Sequence, residues 1–340
     1  MRRALVAAVA LSFGFCLGVG QLAAAQGAGG IGVAVPYTDS DGITRGTVMV
    51  KDVADPFTGF ATGQDPQAGS RYVDLTVVYE AADDQTFDAQ PYYILLRSTD
   101  GHLYQPGYVP RPSDAKIPDL QGQTMAPGNR ISGAVGYVLP TGATVADVLF
   151  QPSGDRSIVL ANLVPTPGPA AGTAVPYTSD DGSSATITVK VDDPASDSDP
   201  SQPAADGSRY VGLNVAFENT GDAPFSAGPD RILLVDTSGN LYYSTYVPRQ
   251  QGVKVPVLES QTMASGNRIS GFVGYTVPAD ATIASVQYFP QSDRMITLAD
   301  LQGGGATPSG SPVPGASAAP VASPAPEVSA SPAASAGTAQ

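Results

Sequence analysis

The residues that could do chemistry in this chain are unevenly supplied. One histidine is present, His102, so any Ser-His-Asp or Cys-His relay would have to be built around that position. It follows the turn signal Asp100-Gly101 and reads as an exposed hairpin residue; its counterpart in a later repeat of the same segment is Asn240. Carboxylates are plentiful. Glu80 and Glu218 close two apolar stretches at matching positions, and a pair of acids suffices for glycoside cleavage, yet no second acid is marked as the partner of either. The loop 191–207 carries Asp192, Asp193, Asp197, Asp199 and Asp206, and an earlier loop has Asp52, Asp55 and Asp65. Such oxygen ligands suit calcium, but their spacing is not that of an EF-hand, and a solvated acidic loop is expected. The G-x-S-x-G, H-E-x-x-H, P-loop and dinucleotide fingerprints are absent. The expectation is therefore no catalytic residue, no metal ligand and no cofactor.

Two places remain where residue types suggest recognition. The run Y-V-P-R occurs at 108–111 and again at 246–249, setting Tyr108 near Arg111 and Tyr246 near Arg249. Aromatic and guanidinium groups are common binding anchors, which makes these four residues candidate ligand contacts. In so acidic a protein the arginines have an alternative employment, pairing with loop carboxylates.

The elements that must position these residues follow from an internal repeat. Residues 123–140, QTMAPGNRISGAVGYVLP, return at 261–278 as QTMASGNRISGFVGYTVP, identical at fourteen of eighteen positions. The correspondence begins with VAVPYT at 33–38 against TAVPYT at 173–178. The offset is 140 there and 138 after Asp55-Pro56 against Asp193-Pro194, so the copies differ by two residues of length in an early strand. Within the repeat Ile131, Gly133, Val135, Tyr137 and Leu139 fall on one parity, and Val73, Leu75, Val77 and Tyr79 alternate likewise, the period of half-buried strands. Gly133 and Gly136, with Gly271 and Gly274, mark either a bulge or a close approach of neighbouring chain. Residues 92–97 and 103–108 read as a hairpin about the D-G turn. Each copy holds about seven or eight short strands, and no useful stretch has a helical period, which predicts an all-β chain of two tandem β-sandwiches.

Composition bounds the setting. Residues 1–25 have a basic start, an apolar run and an Ala-rich exit before Gln26, the pattern of a cleaved secretory signal peptide. Cys16 lies within that run, preceded by Phe15, which is too bulky for a lipidation site. It is the sole cysteine, so the mature chain is expected to lack disulfides and thiolate sites. Without Arg2 and Arg3, 15 basic residues face 31 acidic ones, a net charge of −16 that makes nucleic acid an unsuitable partner. The expected layout is copy one over 26–164, a Pro-rich linker over 165–171, copy two over 172–301, and a disordered Pro/Ala/Ser-rich tail over 302–340.

The order G-S-R-Y-V-D-L-T-V-V-Y-E, then Y-I-L-L-R-S-T-D-G-H-L-Y, then A-P-G-N-R-I-S-G-A-V-G-Y-V-L-P resembles the bacterial domain of unknown function 4352 family. It is also similar to that family's relative, a secreted immunoprotective antigen with an immunoglobulin-like sandwich. Glu218-Asn219 fits the family pattern, whereas Glu80-Ala81 departs from it, and Ser265 replaces the proline of Pro127-Gly128. The resemblance implies an exported immunoglobulin-like sandwich in tandem copies and carries no catalytic residues. The expected role is a secreted or cell-envelope, non-enzymatic protein that binds an extracellular protein or envelope component and meets a membrane only during export. The alternative is a carbohydrate-binding or glycoside-hydrolysing envelope protein, against which the absence of tryptophan counts.

Overall fold

A computed structural model describes residues 29–164 and 167–302. The expected signal peptide, and the tail beyond Gln302, lie outside the described residues. Copy one consists of β1 (Ala34–Thr38), β2 (Thr44–Ala54), β3 (Ser70–Ala81), β4 (Phe87–Ala89), β5 (Ile94–Ser98), β6 (Leu103–Tyr104), β7 (Gln123–Met125), β8 (Arg130–Pro140), β9 (Val145–Phe150) and β10 (Ile158–Asn162). Copy two repeats the series as β11 (Ala174–Thr178), β12 (Ser184–Asp192), β13 (Ser208–Asn219), β14 (Phe225–Ala227), β15 (Ile232–Asp236), β16 (Leu241–Tyr242), β17 (Gln261–Met263), β18 (Arg268–Pro278), β19 (Ile283–Gln291) and β20 (Arg294–Asp300). The described residues contain no α-helix, in keeping with the period of two read from the sequence.

Each copy is a sandwich of two four-stranded antiparallel sheets, with a separate two-stranded pair, β4-β7 in copy one and β14-β17 in copy two. One has the order β1-β2-β3-β8 and the other β10-β9-β5-β6; copy two reproduces both as β11-β12-β13-β18 and β16-β15-β19-β20. The pairing is that of an immunoglobulin sandwich. With β2, β3, β5, β6, β8, β9 and β10 taken as strands A, B, C, C′, E, F and G, strand B pairs E across a sequence gap while C pairs F and F pairs G. Strand β1 is an extra hairpin arm outside A.

The inner parity of β3 and β8 forms the core. Val73, Leu75, Val77 and Tyr79 are fully buried, as are Tyr137 and Leu139, with the same result for Val211, Leu213 and Phe217 in copy two. Burying each such side chain stabilises the fold by roughly 1.5–3 kcal/mol. In place of a disulfide, Tyr137 Oη crosses between the sheets and donates to the Ile94 carbonyl at 2.9 Å, and Tyr275 does the same to Ile232 at 2.9 Å. The outer parity is less exposed than simple alternation predicts: Thr76 is buried and Asp74 half-buried. The cause is residues 105–122, which lie over this sheet.

That segment also explains the repeated glycines. Pairing of β3 with β8 is regular from Ser70–Pro140 to Glu80–Arg130, so neither glycine marks a bulge. A side chain at Gly133 would come 2.5 Å from Leu120 Cα, and one at Gly136 would come 2.5 Å from Val109 Cγ2. Gly271 and Gly274 meet Leu258 and Val247 in the same way. Bulges occur elsewhere. Register shifts isolate Arg45 opposite β1 and Lys51 opposite β3, whereas β12 pairs without interruption on both sides. The two extra residues of copy one are these two bulges.

Candidate functional site

The Y-V-P-R runs do not sit at the end of a hairpin strand. Strand β6 stops at Tyr104 and β16 at Tyr242 because the chain there leaves one sheet for the free edge of the other. The Gly107 amide donates to Gly136 O at 2.8 Å, and the Thr245 amide to Gly274 O at 2.8 Å. The valine that follows is buried, at Val109 and at Val247, while the tyrosine before it points outward: Tyr108 is 80% exposed and Tyr246 82%.

The arginines turn the other way. Arg111 Nη1 donates to Asp74 Oδ2 at 2.7 Å, Nη2 to Asp74 Oδ1, and Nε to Asp119 Oδ1 at 2.5 Å, with the guanidinium carbon 5.3 Å from the Phe57 ring centre. The hydrogen bonds to Asp74, then those to Asp119, hold Arg111 above its ordinary pKa. Arg249 Nη2 donates to Asp197 Oδ2 at 3.0 Å and Nη1 to Val255 O, over the Phe272 ring at 4.2 Å. The structure thus brings each arginine together with acids and a ring beneath it, and leaves Tyr108 and Tyr246 as outward projections from a fixed base.

Other candidates occupy structural positions. Ser98, Asp100 and His102 share one turn, with His102 Nε2 at 3.7 Å from Asp100 Oδ2. The serine donates to Asp100 and to His102 O, so its proton goes to the acid and the peptide rather than to the imidazole, the reverse of a nucleophile–base relay. Burial opposes the charge of Asp100, but the Ser98 hydrogen bond and the nearby His102 keep its pKa below the usual carboxylate range. Glu80 faces Arg130 across the ladder at 3.7 Å. In the acidic loop Asp192 accepts from the Ser196 amide and hydroxyl, each at 2.8 Å, and Asp199 accepts from Ser201. Asp193 and its copy-one counterpart Asp55 each take a two-pronged arginine, Arg209 and Arg71. These carboxylates are spent on their own turns and on guanidinium groups.

The features the sequence did not disclose lie where the copies meet. The contact is self-complementary. The Leu103 amide donates to Asp293 O at 2.7 Å and the Leu241 amide to Asp155 O at 2.9 Å; the Met295 amide donates to Gly101 O and the Ser157 amide to Gly239 O, both at 2.8 Å. Each of these four backbone bonds has a mate 138 residues away, the signature of an isologous two-fold interface within one chain. Leu95, Leu149 and Met295 form a small buried cluster there. A cleft of about 750 Å³ opens along the pseudo-axis, lined by the mate pairs Asp147 and Ser285, Val159 and Thr297, and Asn162 and Asp300. Arg97 reaches into it and donates to Asp147 Oδ2 from Nε at 2.8 Å and Nη2 at 2.5 Å. The residues at the mate positions, Val235 and Ser285, retain neither charge. A smaller cleft of about 250 Å³ spans the copies on the other side. The signal that pointed there was slight, an arginine at matching places, Arg156 before β10 and Arg294 at the start of β20.

No curated protein matches the chain. Among solved structures, the crystal structure of the yjhA protein from Bacillus subtilis is similar at 20% identity over 32% of this chain and 76% of that one, with a TM-score of 0.24. Residues 178–294, from the end of β11 to the start of β20, match the family Domain of unknown function (DUF4352), the family whose likeness the strand and turn order of the sequence carried.

Proposed function

We propose that this chain is an exported, non-catalytic binding protein that engages an extracellular protein or envelope component through Tyr108 and Tyr246. The observation that carries this reading is the paired exposure of the two rings, 80% and 82%, each on a loop fixed one residue later by a buried valine and three residues later by a clamped arginine. Large apolar groups held in water on a rigid base are typical of interaction surfaces, and an aromatic anchor of low conformational freedom loses little entropy on binding. The secretory pattern of residues 1–25 supports export, with the mature chain starting at Gln26 and carrying no lipid. The test is retention of the labelled mature protein on envelope preparations from the producing cell. Tyr108→Ala/Tyr246→Ala should reduce it at least tenfold without altering the melting temperature. Unchanged retention in the double variant overturns the reading. The same exposed rings favour a second reading, carbohydrate binding by stacking, which predicts competition by soluble envelope glycans; retention indifferent to glycans removes it.

A further inference from the structure

Arg156 and Arg294 are a further pair of mates, alike in residue and unlike in surroundings. Arg294 has its guanidinium 5.1 Å from the Tyr177 ring centre and donates from Nη1 to Thr178 O at 2.8 Å and Asp180 Oδ1 at 3.4 Å, and from Nε to Asp100 O at 3.3 Å. Arg156 repeats the stacking over Tyr37 at 5.7 Å without those hydrogen bonds. It is 6% exposed, its Nε is buried with no hydrogen-bond partner, and among the described residues its guanidinium makes no hydrogen bond or ion pair. The acid is missing here because the position matching Asp180 is Ser40. A buried guanidinium N–H left without an acceptor is unfavourable, and a ligand that supplies the acceptor relieves this.

Arg156 lines the 250 Å³ cleft between the copies, with Leu233, Leu241 and Phe289 as apolar wall and Asp230 and Arg231 on the exposed side. Arg231 and Asp230 offset one another, leaving Arg156 as the net charge of the cleft. A planar guanidinium presents parallel donors that match a carboxylate, and the hydrophobic wall suits an apolar body attached to it. We propose that this cleft binds a small carboxylate with an apolar body, of benzoate size, the carboxylate supplying Arg156 with an acidic acceptor such as Asp180 supplies to Arg294. The site is separate from Tyr108 and Tyr246, so it and the proposed function stand or fall independently.

The test is titration of the mature chain with benzoate, benzamide and inorganic phosphate, followed by calorimetry and by the Arg156 Nε–H resonance. Benzoate should bind and shift that resonance, benzamide should bind at least tenfold more weakly, and phosphate should not compete. Ser40→Asp, which supplies the acid copy two has at an exposed turn position, should weaken benzoate at least tenfold while keeping or raising the melting temperature. Arg156→Met should abolish binding. Absence of benzoate binding, equal binding of benzamide or phosphate, or full affinity in Ser40→Asp would each overturn the proposal.

Discussion

Arg111 and Arg249 occupy the same place in the two copies, and they share no partner. Arg111 stands over Phe57 and is held by Asp74 and Asp119; Arg249 stands over Phe272 and is held by Asp197 and the Val255 carbonyl. The positions of Phe57, Asp74 and Asp119 are Ala195, Gly212 and Val257 in copy two, and that of Phe272 is Ala134 in copy one. The acid and the ring have migrated between elements while the arginine and the backbone beneath it stayed. Gly212 shows how the exchange is locked, since a side chain there would come 2.4 Å from Phe272 Cε2. A buried guanidinium on the outer face of this sandwich needs a flat surface and an acceptor, and the fold accepts either supply.

The largest expected effect follows from this exchange. Asp74→Ala removes the two-pronged acceptor of a largely buried arginine, leaving Asp119, whose side chain is 53% exposed. Losing one partner of a buried pair costs about 3–5 kcal/mol, and the remaining acid places this case near the lower figure. Denaturant unfolding of the mature chain measures it; a loss below about 1 kcal/mol would show that Asp119 alone suffices. In copy two, Gly212→Asp should be tolerated only together with Phe272→Ala, which clears the ring.

Next in size is the interface. Gly101 and Gly239 have φ of +88° and +81°, and a side chain at either would press on the mate copy, 2.7 Å from Met295 O or 2.5 Å from Ser157 O. Gly239→Val therefore combines backbone strain with a steric clash, at a cost of about 2–3 kcal/mol. Expressed at the contact, this should split a single thermal transition into two. A variant that still melts in one step would show that the copies are coupled by something other than the symmetric hairpin contact.

Strand parity, turn glycines and repeat offset made the inner core, the two glycine-turn hairpins and the common topology legible in the sequence, because each is a local consequence of side-chain alternation or of positive φ. The DUF4352 likeness was legible for the same reason. The covering of the β3 outer face was not, since residues 105–122 carry no regular period and reach their place only by crossing to the other sheet. Nor was the contact between the copies. It is made largely by backbone amides and carbonyls of residues 101–103, 155–157, 239–241 and 293–295, which leave almost no mark on residue identity. Tyr108 and Arg111 are close in sequence and diverge in space because Val109 between them is the residue that anchors the loop.

A smaller effect is expected where the copies agree. Tyr137→Phe and Tyr275→Phe each remove the one hydrogen bond from a buried hydroxyl to the opposite sheet, and each should cost about 1–2 kcal/mol. Equal losses would mean that the bridge does the same work in both sandwiches. A much larger loss in one copy would mean that its sheets rely on the bridge more than their packing indicates.

The smallest effect is the most diagnostic of the difference between copies. Tyr79 donates to Gln90 O at 2.9 Å, and copy two has Phe217 in its place. Gln90 O also accepts from the Tyr93 amide at 3.3 Å, so Tyr79→Phe leaves it a partner and should cost only about 0.5–1 kcal/mol at pH 7. The sign of that difference depends on pH. Burial first, with Tyr93 and Asp88 adding to it, raises the folded pKa of Tyr79 far above the ordinary value of 10.0. The unfolded chain then loses this proton before the folded one, so the stability tied to neutral Tyr79 is complete below pH 10 and declines above it by about 1.4 kcal/mol per pH unit. Phenylalanine has no proton to lose at this position. The advantage of Tyr79 should therefore vanish within about one unit above pH 10 and reverse beyond it. Parallel denaturant titrations between pH 7 and pH 11.5 measure the crossing; a gap that stays constant across this range would show that Tyr79 is accessible to solvent in the folded state.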